Sequence, residues 1–90
     1  MSVGKRNKYE IFFDILGSLQ IELSENDKPS PTRVAHKANL PYDRFQKALN
    51  ELVQLGMVTS ADSGLSLTEK GREFVNEFKK VNEFLRRMGF

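Results

Sequence analysis

The polar side chains between residues 31 and 56 include two arginines, two lysines and an asparagine that could bind other molecules. They are Arg33, Lys37, Arg44, Lys47 and Asn50. An arginine guanidinium can donate two hydrogen bonds to guanine or bind a phosphate, and an asparagine amide can pair with adenine. Lysine is suited to phosphates. Each of these side chains is also compatible with a plain solvated surface, and the elements that position them decide between the two interpretations.

Catalytic chemistry has little support in the sequence. His36 is the single histidine and cysteine is absent, so no multi-histidine or thiolate metal site can be built. The carboxylates occur singly among basic residues, and their spacing matches neither a shared-proton pair nor a metal-binding loop. The glycines match no phosphate-binding pattern of the GxGxxG or GxxxxGKS kind. We therefore predict a protein that is not an enzyme and that uses no metal or cofactor.

The spacing of residues 31–40 predicts a short helix followed by a tight turn. The residues of one apolar stripe are Val34, Ala35 and Ala38. Asn39 tolerates the left-handed conformation that commonly follows the last helical turn. Leu40 can then enter the core, and Pro41 fixes the backbone at the start of the next helix.

The next helix has one apolar and one polar face. Its apolar residues are Phe45, Ala48, Leu49, Leu52 and Leu55, and Gly56 ends it. Its polar residues are Tyr42, Asp43, Arg44, Lys47, Asn50, Glu51 and Gln54. A short helix, a tight turn and a longer helix with a polar outer face form the helix-turn-helix pattern. In proteins that bind DNA through this pattern, the second helix enters the major groove.

A longer helix is predicted from Lys8 to Leu23. Its apolar arc is wider than one core-facing side requires and contains Tyr9, Ile11, Phe12, Phe13, Ile15, Leu16 and Leu19. We expect this helix to pack on two surfaces, with Glu10 and Asp14 towards solvent. The alternative is a helix buried at the centre of a monomer.

A basic cluster lies at the entrance to this helix and contains Lys5, Arg6 and Lys8. It is either a solvated terminus or an arm that touches phosphate.

A loop and a hairpin flank the helix-turn-helix. Residues 24–30 are rich in turn formers, and Ser30 is suited to cap the helix that follows. Residues 57–67 form two short β-type runs around a turn that ends at Gly64, which predicts a hairpin, or wing. Because the hairpin contains Asp62 and no lysine or arginine, we do not expect it to contact phosphate strongly.

The last predicted helix begins after Thr68, a good N-cap, and extends to about Met88. Apolar residues recur along it at alternating spacings of four and three: Phe74, Phe78, Val81, Leu85 and Met88. A period of about 3.5 residues is typical of the contact positions of a coiled coil. We expect this stripe to join two copies of the chain. The alternative is that the helix folds back on its own domain.

Length and charge set broader bounds. Ninety residues form one small domain, which buries a modest share of its surface and would gain stability from dimerisation. Lysine and arginine exceed aspartate and glutamate by 14 to 12, so the net charge of +2 permits nucleic-acid binding without indicating it. The N-terminus is charged and no long apolar run occurs, so we expect neither a signal peptide nor a membrane span, and a cytoplasmic location.

Three segments carry a family resemblance: KRNKYEIFFDILGSL, PTRVAHKANLPYDRFQKALNELVQLGMV and LSLTEKGREFVNEF. In their order along the chain they resemble the small archaeal winged helix-turn-helix DNA-binding proteins, which include chromatin-associated dimers and transcriptional regulators. The resemblance runs from Lys5 to about Phe84. It implies a mainly α-helical fold with a small β-hairpin (α+β), in which residues 1–68 form the winged helix-turn-helix and residues 69–90 form a coiled-coil dimerisation helix of the same structural unit.

The resemblance also implies contacts and partners. The implied contacts with double-stranded DNA are Tyr42, Arg44, Lys47 and Asn50 on the second helix of the motif and Arg33 and Lys37 on the first. The basic residues Lys5 and Arg6 complete the predicted DNA-binding set. The implied assembly is a homodimer joined by antiparallel C-terminal helices and associated with the nucleoid. The alternative is a winged helix that binds another protein without nucleic acid, through exposed apolar residues such as Tyr42.

Overall fold

The computed structural model describes residues 6–26 and 28–89, and within them it contains four helices and one hairpin. The elements are α1 (Lys8–Glu25), α2 (Pro31–Lys37), α3 (Tyr42–Gln54), β1 (Val58–Ala61), β2 (Gly64–Leu67) and α4 (Glu69–Arg87). The predicted order of helix, helix-turn-helix, hairpin and long helix is confirmed, as is the mainly α-helical class.

Helix α1 lies at the centre of the fold and packs against α2, α3, β2 and α4. Its start is fixed by a capping box, in which Asn7 and Glu10 each accept a hydrogen bond from the other's backbone N–H at 2.8 Å. The wide apolar arc is thus covered mainly by the chain itself, although Tyr9 remains exposed. Because α1 contacts four other elements of its own chain, it fits the alternative of a centrally buried helix better than the expectation that it packs on two surfaces.

One core joins all the elements. Its buried residues are Phe12, Ile15, Leu16, Leu19, Val34, Ala35, Ala38, Leu40, Phe45, Leu49, Leu52, Val58, Leu65, Leu67 and Val75. The prediction that Leu55 belongs to the apolar face of α3 was wrong, because this residue is 41% exposed. Leu55 caps the end of α3 rather than lying within it, at the edge of the apolar stripe.

The turn between α2 and α3 has the predicted geometry. Asn39 adopts a φ of 58°, the left-handed conformation expected of it. The buried Leu40 donates a backbone hydrogen bond to the carbonyl of Ala35 at 3.0 Å, which folds the turn back on α2. Pro41 is the N-cap of α3, and Ser30 is the N-cap of α2 but makes no side-chain capping bond. The turn therefore holds the two helices in a fixed relation.

The start of α4 is bound to the end of α3. The Thr68 hydroxyl donates to the carbonyl of residue 56 at 2.6 Å, and its backbone N–H donates to the carbonyl of residue 57 at 3.1 Å. The Lys70 ammonium donates to the carbonyl of residue 55 at 2.7 Å. Three consecutive carbonyls at the exit of α3 thus receive donors from α4.

Gly71 lets α4 approach this closely. A Cβ atom at this position would lie 2.3 Å from the carbonyl oxygen of Met57. Because side chains do not tolerate such a separation from backbone, only glycine permits the approach.

The hairpin packs one of its faces on the core. Val58 pairs with Leu67 and Ala61 with Gly64 in an antiparallel register, with residues 62 and 63 forming the turn. Val58, Leu65 and Leu67 are buried, whereas Asp62 is exposed at the tip. The side chains at the tip are therefore free to face a partner.

Candidate functional site

The outer face of α3 is polar and exposed. The buried residues of this helix are Phe45, Leu49 and Leu52. At 3.6 residues per turn, Asp43, Lys47 and Asn50 lie on the opposite side, and all three are exposed. None of them makes a side-chain hydrogen bond or an ion pair with another described residue. This face is available to a partner without any internal bond being broken.

A shallow cleft of about 510 Å³ borders this face on the side of α1. Its floor is apolar, and its rim holds the charged residues Lys8, Arg44, Lys47 and Glu51. Lys8 and Glu51 form an ion pair across the cleft. The hydrogen bond between these two side chains, together with the negative charge of Glu51, raises the pKa of Lys8 above its usual value of 10.5. Arg44 makes no corresponding pair with the described residues, so its guanidinium stays available beside Lys47.

Tyr42 begins α3 and remains 51% exposed. Its ring lies against that of Phe45, with centroids 6.0 Å apart. The contact holds the phenol at the N-terminal end of the helix, next to the exposed polar face.

The two cations of α2 share a buried carboxylate. Glu22 of α1 has a side chain that is 0% exposed, and its Oε1 lies 3.1 Å from Nε of Arg33. Its Oε2 lies 3.4 Å from Nζ of Lys37 and makes no hydrogen bond of good geometry. Arg33 is still 62% exposed and uses only Nε in this pair, so its two Nη groups are not engaged by Glu22. Glu22 thereby orients both side chains.

Glu22 was missed at the sequence level, although a signal was present. It continues the spacing of three, four and three residues that links the buried Phe12, Ile15, Leu19 and then Glu22 itself. A carboxylate in a buried stripe requires a cationic partner, because an unpaired charge is costly to bury. The partners lie on the next helix, and the spacing along α1 does not identify them.

Arg6 is bound to the helix-turn-helix rather than projecting from it. Its Nη1 atom donates to Asp14 Oδ2 at 2.6 Å and to the carbonyl of Ala38 at 2.8 Å. Nη2 donates to the carbonyl of Asn39 at 2.9 Å. A cation at the C-terminal end of α2 is favourable for the helix dipole. Asp14, which we expected towards solvent, is half-buried in this contact, and the predicted contact of Lys5 lies outside the described residues.

A lysine of the loop after α1 lies beside the wing, which itself contains no lysine or arginine. A Cβ atom at Gly64 would lie 3.5 Å from Cα of Lys28, so the loop after α1 packs against the second strand. Lys28 is exposed. The sequence did not predict a role for Lys28, because this residue belongs to a loop that is distant from the hairpin along the chain.

Helix α4 divides the predicted dimerisation stripe into two parts. Phe78 stacks on Phe13 of α1 with ring centroids 4.8 Å apart, and Phe74 stacks on Phe78 at 5.5 Å. The later residues are 39–58% exposed and comprise Val81, Phe84, Leu85 and Met88. The first part of α4 therefore folds back on its own domain, and the second presents an uncovered apolar face.

Two further kinds of feature are missing from the part of the chain that the structure describes. It contains no group of three acidic, histidine or cysteine side chains close enough to hold a metal ion. No helix in residues 6–26 or 28–89 is both long and apolar enough to cross a bilayer.

Comparisons with known proteins match this architecture. The sequence profile of the winged helix-turn-helix family matches residues 5–86. Sso10a-2, described as a DNA-binding protein from Sulfolobus solfataricus, is 31% identical, and the alignment covers 92% of this chain and 88% of that chain with a TM-score of 0.66. An uncharacterized protein of Methanocaldococcus jannaschii is 25% identical over 81 residues, which is 90% of this chain and 78% of the relative.

Proposed function

Because the chain belongs to the winged helix-turn-helix family, we propose that it binds double-stranded DNA, as its relative Sso10a-2 is described to do. The main support within the molecule is the outer face of α3. Lys47 and Asn50 are exposed there without internal partners among the described residues, and Arg44 lies at its edge. These are side-chain types that bind phosphates and base edges.

In this proposal α3 enters the major groove. Arg44 donates to guanine O6 and N7 or to a phosphate, and Asn50 pairs with adenine N6 and N7. Lys47 binds phosphate, and Tyr42 packs at the N-terminal end of the helix.

Helix α2 contributes further contacts to the proposed DNA complex. Arg33 and Lys37 bind the phosphate backbone, and Glu22 holds them in place. Since one buried carboxylate faces two cations, the group keeps a net positive charge. Arg6 is not included among the contacts, because its guanidinium is bound to Asp14 and to the end of α2.

The working form of the protein in this proposal is a homodimer. The support is the exposed apolar face of α4, formed by Val81, Phe84, Leu85 and Met88. Covering this face with the same face of a second copy removes it from water, which is favourable for apolar surface. Such a dimer would present two α3 helices to DNA and act at the nucleoid, either as a transcriptional regulator or as a chromatin-associated protein.

The experiment that tests DNA binding is a salt series with a labelled duplex of mixed sequence. The wild type should bind with an affinity that falls steeply as salt rises, because bound phosphates release counterions. The double variant Arg44→Ala/Lys47→Ala should bind more weakly, with a log–log salt slope shallower by about 0.9 for each phosphate that is no longer neutralised.

A matched control removes the same charges elsewhere. Arg72 and Lys79 are exposed on α4, and Arg72→Ala/Lys79→Ala changes the net charge equally. This control should retain most of the affinity and slope. Equal losses of affinity in the two double variants would contradict the assignment of α3 as the DNA-binding helix, and a wild type that binds no duplex at low salt would contradict DNA binding.

A second candidate function is binding of a protein partner without nucleic acid. It is favoured by one observation, the exposure of Tyr42 and Val53, at 51% and 38%, on the same side of α3. A protein-binding surface would depend on these two side chains and would tolerate Arg44→Ala/Lys47→Ala. The salt series therefore separates the two candidates.

A further inference from the structure

Asp43 places a carboxylate on the exposed side of α3. It is the second residue of this helix and lies in line with Lys47 and Asn50, four and seven positions later. No hydrogen bond or ion pair joins its side chain to another described residue. An anion at this position opposes binding to phosphate, so its presence on a DNA-facing helix requires a reason.

Helix stability supplies only part of that reason. An acidic residue in the first turn interacts favourably with the helix dipole, and Pro41 offers no side-chain cap. This accounts for an acid near the start of α3. The dipole favours an acid on any side of the first turn, so it does not by itself select the side opposite the core, where the first turn of a recognition helix meets base edges.

The major-groove edges of the bases differ in how they meet a carboxylate. An ionised carboxylate can only accept hydrogen bonds. Guanine presents two acceptors, N7 and O6, and thymine presents O4 and a methyl group, whereas cytosine presents its N4 amino donor. Adenine has an amino donor too, but its acceptor N7 lies beside it and repels a second oxygen of the carboxylate.

We propose that Asp43 is a specificity-determining residue that accepts a hydrogen bond from the N4 amino group of a cytosine in the major groove. The inference rests on the proposed function and extends it from DNA binding in general to selection of one base pair. A cytosine at that position gives the carboxylate a donor, whereas guanine or thymine leaves it desolvated against acceptors.

The spacing along α3 separates this contact from the one assigned to Asn50. Seven residues of helix span roughly 10 Å, about three base-pair steps. Asp43 and Asn50 therefore act on different base pairs, and their effects on sequence preference can be measured independently.

The test is selection of bound duplexes from a randomised library, followed by sequencing, for the wild type and three variants. The wild type should enrich cytosine over guanine at one position by roughly tenfold. Asp43→Ala should lose this preference while keeping the preferences at other positions. Asp43→Asn should shift the same position towards adenine, because an asparagine amide both donates and accepts.

The matched control is Asp62→Asn, which removes an exposed aspartate from the hairpin tip. It changes the net charge as Asp43→Asn does, so general electrostatics would raise the affinity of both variants alike. Only the Asp43 variants should change a base preference. Urea unfolding of each variant should show that the selected protein was folded.

Two results would overturn the inference in distinguishable ways. If the wild type selects duplexes and the Asp43 variants select the same sequences, DNA binding stands and the role of Asp43 is refuted. If the wild type retains no duplex at low salt, the proposed function itself fails, and the role of Asp43 with it.

Discussion

Glu22 on α1 and Arg33 on α2 form an ion pair in which the carboxylate is fully buried and the guanidinium is mostly exposed, with Oε1 and Nε 3.1 Å apart. The two partners therefore differ in their access to water when the ion pair is broken. Arg33 and its neighbour Lys37 are already partly exposed to water, whereas the Glu22 side chain is fully buried and borders a cleft that these two cations line.

Removing the cations should consequently cost more than removing the carboxylate. We expect Arg33→Ala/Lys37→Ala to lower the free energy of unfolding by about 3 kcal/mol, because a buried charge is left uncompensated. Glu22→Leu should be close to neutral or stabilising, since it replaces that charge with an apolar side chain of similar size. Urea unfolding followed by circular dichroism measures both. A Glu22→Leu variant less stable than the double variant would contradict this account.

Replacing glycine by alanine should have opposite effects on stability at two positions of the chain. Gly71→Ala should destabilise the protein by about 2 kcal/mol, because the new Cβ would meet the Met57 carbonyl oxygen at 2.3 Å. Gly17→Ala in α1 meets no atom within 4 Å and should stabilise by about 0.5–1 kcal/mol through the higher helix propensity of alanine. Thermal unfolding of the two variants should give shifts of opposite sign, and a destabilised Gly17→Ala would mean that another surface covers α1 at this position.

The apolar residues of α4 should fall into two groups by phenotype. Phe78→Ala should lower the stability of the fold by about 3 kcal/mol, since it removes the ring stacked on Phe13. Val81→Ser/Leu85→Ser should leave the domain folded and convert the proposed dimer to a monomer.

Analytical ultracentrifugation over a range of concentrations measures this second effect. Lys79→Ser, on an exposed position of the same helix, is the matched control and should sediment as the wild type does. A wild type that is monomeric at all concentrations would refute the dimer while leaving the prediction for Phe78 in force.

Arg6 should matter more for stability than its place in the terminal basic cluster indicates. Arg6→Ala removes the hydrogen bonds that the guanidinium donates to two backbone carbonyls and to Asp14. We therefore expect the free energy of unfolding to fall by about 1–2 kcal/mol. Arg6→Lys should recover only part of it, because an ammonium lacks the planar fork that spans these acceptors. Equal unfolding free energies for wild type and Arg6→Ala would indicate that water replaces these bonds at no cost.

Local signals in the sequence predicted the fold well. Asn39, Pro41 and Thr68 act on their immediate neighbours, through a left-handed turn, a fixed φ and a side-chain cap, so their effects could be inferred without knowledge of the tertiary structure. The order of elements followed from them and from the apolar spacing.

Contacts between distant residues could not be inferred in this way. The period of α4 is the same whether Phe78 meets Phe13 of its own chain or a residue of a second copy, so the spacing leaves both surfaces possible. Arg6 has partners on α1 and in the turn after α2, at separations of 8–33 residues, and Glu22 has its two partners on α2, at separations of 11 and 15 residues. The contacts of Glu22, and those of Arg6 with the end of α2, exist because α2 packs on α1.

The junction between α3 and α4 has a consequence for the geometry of a bound duplex. Three hydrogen bonds and the close approach at Gly71 fix the end of α3 to the start of α4. In the proposed dimer the two copies of α3 would then be held at one fixed distance from each other. If the two half-sites of a duplex are moved apart by half a helical repeat, about 5 base pairs, the second half-site lies on the side of the DNA that faces away from the second α3 helix. Such duplexes should bind more weakly.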